Sequence, residues 1–77
     1  MDCGVVEVKY FGYLAEIAGR EREEIRVCGE KRIRDLIRLE DVDLDDLVIL
    51  VNGVGKRPDA IVKPGDKITL LPHISGG

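Results

Sequence analysis

Tryptophan is absent from this 77-residue chain, and Tyr10, Phe11 and Tyr13 are its only aromatic residues. Its core must therefore be Val, Ile and Leu, and a body this small has no room for a deep cofactor cavity. An excess of basic charge is missing too: 12 Lys and Arg stand against 15 Asp and Glu, for a net charge of −3. With so few stacking rings, that balance argues against nucleic-acid binding. No apolar run approaches the ~18 residues a membrane-crossing helix needs, and the opening "MDCGVVEVKY" does not read as a signal peptide. The expectation is a cytoplasmic protein with no membrane partner. Histidine occurs once, at His73, and its nearest serine is Ser75. No nucleophile, base and orienting group can be assembled from these. Cys3 and Cys28 lie 25 positions apart without a C-x-x-C pair, so zinc-ribbon and thioredoxin spacings are both missing. Each reads as a core or surface thiol, with a disulfide between them left open.

What is present reads as one small α+β domain. Hydrophobic residues make up 44% and charged residues 35%, too apolar a mixture for disorder. "VVEVKY" alternates, with Val6, Val8 and Tyr10 on one face, and predicts a first strand. "FGYLAEIAG" spaces Leu14, Ile17 and Ala18 as a short helix closed by Gly19. "EREEIRV" alternates again with charge outward, as an edge strand does. "KRIRDLIRL", residues 31–39, repeats Ile33, Leu36 and Ile37 at helical spacing and predicts the main, amphipathic helix. Continuously apolar "LVILV" (residues 47–51) predicts a strand covered by protein. Asn52-Gly53 is a type I′ hairpin signal, and Pro64-Gly65 a type II turn before the last strand, "DKITLLP". Too few helices follow to cover two faces of a sheet. The expected architecture is one curled mixed sheet packed on one main helix plus a short helix.

Three further motifs carry no chemistry. "GVGKRP" lacks the Walker spacing and reads as a hairpin arm. "DVDLDD" opens like a calcium loop, but Asp46 stands where that loop needs Gly and Asn52 where it needs Glu. No metal site is expected. Lys31, Arg32, Arg34 and Arg38, beside Glu40, Asp41, Asp43, Asp45 and Asp46, read as a solvated mixed-charge surface, with a docking surface for a partner as the alternative.

The remaining feature is the ending, "LLPHISGG". Residues 1–73 form the domain, and residues 74–77 are expected to project as a flexible tail reaching at most about 14 Å. A carboxylate is inert toward nucleophiles until it is activated, and adenylation by a separate ATP-using enzyme is the simplest route. Residues without Cβ suit a narrow channel in such an enzyme.

The opening "VEVKYFGYLAEIAG", the "VNG" hairpin, "KPGDKITLLP" and the terminal "ISGG" together resemble the β-grasp sulfur carriers of the MoaD/ThiS type. Among them the sequence is most similar to the small subunit of molybdopterin synthase, over nearly the whole chain. The resemblance implies a ubiquitin-like β-grasp fold and a chain that is not an enzyme on its own. The Gly77 carboxylate, preceded by Gly76, would be adenylated by an E1-like enzyme and converted to a thiocarboxylate by a persulfide sulfur donor. It would then deliver sulfur within the large subunit of molybdopterin synthase. ATP is used by the activating enzyme, and no cofactor is bound by this chain. Leu71, Pro72, His73, Ile74 and Ser75 are the expected partner-binding residues, with a core role for Leu71 left open. Pro72-His73 replaces the Pro-Pro usual in the family, and "LEDVDLDD" is a shorter connection than usual. Three other functions fit the same residues: a ubiquitin-like modifier joined through Gly77 to lysines, a thiamine-thiazole sulfur carrier, and a β-grasp binding module with an incidental Gly-Gly end.

Overall fold

The computed structural model describes residues 2–73. Strand β1 (Cys3–Tyr10) leads to helix α1 (Tyr13–Ala18) and strand β2 (Arg22–Cys28). A two-residue strand β3 (Lys31–Arg32), helix α2 (Ile33–Leu36) and a 3-10 turn (Leu44–Asp46) follow. Strands β4 (Leu47–Val51), β5 (Val54–Lys56), β6 (Ile61–Val62) and β7 (Lys67–Pro72) complete the chain. Five strands form one sheet in the order β2-β1-β7-β4-β5, while β3 and β6 pair separately. The central pair, β1 and β7, is parallel, and its neighbours are antiparallel.

Register puts one side chain in two on a common inner face. Val8 lies opposite Ile68 and Tyr10 opposite Leu70; Ile49 lies opposite Leu70 and Val51 opposite Ile68. All six are buried, together with Val6, Val27, Leu14, Ile33, Ile37 and Val62. Leu14 comes from α1 and Ile33 from α2, so both helices cover this one face. The expected two-layer α+β architecture is the observed one, with β2 at a sheet edge as its charged alternation predicted. Among the described residues no buried side-chain polar atom lacks a partner.

The two turn motifs are held to each other. Asn52 and Gly53 both adopt positive φ, 52° and 84°, as a type I′ turn requires. The Asn52 amide donates to Asp66 Oδ1 (3.0 Å) and accepts from the Lys67 backbone N–H (3.0 Å). Asp66 in turn accepts from the Lys63 N–H (3.0 Å), bracing the Pro64-Gly65 turn. "VNG" and "PGD" are thus two halves of one clamp across the β4–β7 pair.

Two expectations are corrected and one open alternative is settled. Helix α2 spans only Ile33–Leu36, against the expected 31–39. Lys31 and Arg32 pair with Val62 and Ile61 instead. The N–H groups of Ile33 and Arg34 donate to the Ala60 and Pro58 carbonyls, and Ile37 returns to extended backbone. The apolar spacing correctly gave the buried face. A run this short cannot sustain helix by itself, and the strand partner offered better backbone bonds. Cys3 and Cys28, whose pairing the sequence left open, face each other across β1 and β2 and are joined as a disulfide. Strand β4 is covered on one face only: Ile49 and Val51 are buried, while Val48 is exposed.

Candidate functional site

The site to be built is the place where β7 leaves the sheet. Three elements converge there. The N–H of Phe11 donates to the Leu70 carbonyl (3.1 Å), so the β1–α1 turn is tied to β7 at its end. On the other side Leu47 and Val48 of β4 lie opposite Pro72 and Leu71. Gly12 closes the approach: its φ is +60°, and a Cβ there would stand 3.0 Å from Pro72 Cγ. Glycine is needed at position 12 both for the backbone conformation and for the room it leaves the proline ring. Pro72 is held between the β1–α1 turn and β4.

Leu71 settles on the outer face. It is half-buried, sits beside Val48, and takes no part in the core cluster. Val48, 38% exposed, sits beside Leu71 on the uncovered side of the sheet, and Phe11, 45% exposed, adds apolar surface at the β1–α1 turn. The unbroken apolarity of "LVILV" carried this signal. A half-covered strand that is apolar on both faces has a face to offer to another protein. His73 is exposed and lines a hollow with Tyr13, Asp45 and Asp46. Of the expected site residues, Leu71, Pro72 and His73 are thus brought together at the exit. Ile74, Ser75, Gly76 and Gly77 lie outside the described residues. Sequence reasoning missed Gly12, Phe11, Tyr13 and Val48. Only the unusual glycine before α1 and the apolar run of β4 hinted at them.

Elsewhere the described residues offer structure instead of chemistry. The Tyr10 hydroxyl donates to Glu23 Oε2 (3.3 Å). Burial, with the adjacent Glu23 charge and that hydrogen bond, pushes its pKa up to about 12 despite the opposing Arg20. It braces β1 against β2. The acidic loop caps itself: Asp43 Oδ1 accepts from the Asp45 N–H (2.9 Å), starting the 3-10 turn. Among the described residues no group of three His, Cys, Asp or Glu side chains is arranged to hold a metal ion. Nor is any helix there long and apolar enough to cross a membrane.

A parallel central pair flanked by antiparallel strands, with helices on one face, defines the ubiquitin-like β-grasp class. The chain belongs to the ThiS family, which matches residues 8–77. Among solved structures it is similar to SAMP1 from Haloferax volcanii: 26% identity, 96% of this chain and 100% of that one covered, TM-score 0.73. It is also similar to a candidate molybdopterin converting factor, subunit 1, from Pyrococcus furiosus, at 31% identity and TM-score 0.70, covering 92% of this chain and 99% of that one. Small archaeal modifier protein 1 from Methanosarcina acetivorans shares the fold along the full length of both chains, with 22% identity and TM-score 0.68. No curated protein sequence matches the chain.

Proposed function

We propose that this chain is a sulfur carrier for molybdopterin synthesis, with the Gly77 carboxylate as its working group. The observation that carries the reading is the extent of the family match, which runs through Gly76 to Gly77. The body supports it by what it supplies: a β-grasp domain whose last strand ends packed against Gly12, with apolar side chains exposed beside that end. In this reading an E1-like enzyme adenylates the carboxylate with loss of pyrophosphate. The terminal sulfur of a persulfide donor then displaces AMP to give an acyl disulfide, and a thiol of the sulfur-transfer machinery attacks the donor's inner sulfur, releasing the thiocarboxylate and leaving a disulfide. Leu71, Pro72 and His73 at the exit, followed by Ile74 and Ser75, contact the activating enzyme and then the large subunit of molybdopterin synthase. There the thiocarboxylate gives up its sulfur to the pterin precursor.

The similarity to Haloferax volcanii SAMP1 favours a second reading on the same chemistry, in which activated Gly77 acylates lysines of other proteins. An acyl-adenylate is open to attack by sulfur and by amines alike. The deciding experiment incubates the chain with ATP, the activating enzyme and a sulfur donor, then measures the mass of the peptide ending at Gly77. Exchange of oxygen for sulfur on that peptide is the expected outcome. Adenylation with no sulfur gained, together with lysines in cell extracts carrying the tryptic remnant of residues 68–77, would replace the carrier with the modifier.

A further inference from the structure

Helix α1 presents two faces of opposite use. Leu14 is fully buried and Ala18 packs against the core. Tyr13 and Ile17, four residues apart and therefore on one stripe, are 52% and 40% exposed. A six-residue helix on the surface gains nothing from two large apolar side chains turned to water, where polar residues would serve equally well. The stripe does not stand alone. It forms one wall of a groove whose other wall is the connection between α2 and β4, with Val42 and Leu47 adding apolar surface.

The charge along this groove has a single sign. Glu40, Asp41, Asp43 and Asp46 line it, with no basic side chain among the lining residues. The ion pairs among the described residues are Arg20–Glu23, Arg22–Glu7 and Arg34–Asp59, and none of them uses a groove carboxylate. Tyr13 and Asp46 also line the hollow that holds Asp45 and His73, so the groove runs on to the point where β7 leaves the body. An apolar floor with carboxylates around it is complementary to a segment carrying apolar residues on one side and Lys or Arg on the other. Such a rim speeds encounter and fixes register, while the apolar floor supplies the binding energy.

We infer that the groove between α1 and residues 40–47 is a docking site for a basic amphipathic segment of a partner protein, separate from the outer sheet face. The inference rests on the carrier reading only in naming that partner as a protein that handles the tail. The groove's chemistry is testable without it.

The test titrates the isotope-labelled full chain, followed by NMR, with an acetylated 14-residue peptide of Leu and Arg set at helical spacing. A scrambled peptide of the same composition is titrated in parallel. Saturable shifts confined to Tyr13, Ile17, residues 40–47 and His73 are expected, with the scrambled peptide at least tenfold weaker. Glu40→Lys/Asp46→Lys and Tyr13→Ala should each weaken binding about tenfold, because the first reverses the rim and the second removes apolar surface from the α1 wall. Val54→Asp, at an exposed position of β5 outside the groove, should leave it unchanged. Equal binding of both peptides, shifts centred elsewhere, no binding, or indifference to the groove variants would overturn the proposal. The two readings fail separately. Peptide binding by a chain that never gains sulfur at Gly77 would sink the carrier and keep the groove; sulfur at Gly77 without peptide binding would do the reverse.

Discussion

Tyr10 shows how one side chain serves the fold and reports on it. Its ring is buried on the inner face, and its hydroxyl reaches Glu23 on the neighbouring strand. Because its pKa rises from 10.0 to about 12 on folding, the unfolded chain loses this proton first as pH increases. The contribution to stability is therefore complete below pH ~10 and lost as pH rises toward ~12, of order 2 kcal/mol. Urea denaturation at pH 9 and pH 12 should show a larger loss for the native chain than for Tyr10→Phe, which has no such proton. An equal alkaline loss in both would mean that the hydroxyl is not held this way. Gly12 is a residue of the opposite kind, valuable for what it omits. The alternation of "VVEVKY" was enough to place Tyr10 inward. Nothing in the sequence around Gly12 says that Pro72, sixty positions later, will pass its missing Cβ.

Between elements, the clamp of Asn52 and Asp66 joins the β4–β5 hairpin to the turn before β7. Asn52→Ala removes two side-chain hydrogen bonds and places alanine at positive φ. It should cost about 1–2 kcal/mol in urea denaturation. Asn52→Gly keeps the backbone conformation and should recover part of that loss. Asp66→Ala combined with Asn52→Ala should cost less than the sum of the two, as partners in one network do; strict additivity would show that the turns are independent. Both turns were legible from "NG" and "PG", since turn chemistry is local. Their mutual hydrogen bonds were not, because they depend on β4 and β7 being neighbours. The second helix failed at this scale for a related reason. Ile33, Leu36 and Ile37 announce a buried stripe, but a short run takes whatever backbone partners its neighbours offer, and here β6 and residues 58–60 offered them first.

For the whole molecule, the core cluster among the described residues lies between Val6 and Leu70, and the two terminal glycines have no side chain to bury. Deleting Gly76 and Gly77 should abolish adenylation by the activating enzyme while changing Tm by no more than about 2 °C. A large fall in Tm would make the end structural and remove the basis of the carrier reading. The sequence by itself determined the β-strand faces, the turns, the small Val/Ile/Leu core and the Gly-Gly end. Each of these is written in residue type and in periods of two to four positions, where sterics and water act locally. Tertiary structure alone decided the joining of Cys3 to Cys28, the open outer face of β4, the contact of Gly12 with Pro72, and the meeting of Tyr13 and Ile17 with residues 40–47. Those juxtapositions follow from which strands lie side by side. Periodicity tells a residue whether to leave water, and only the assembled sheet determines what it meets there.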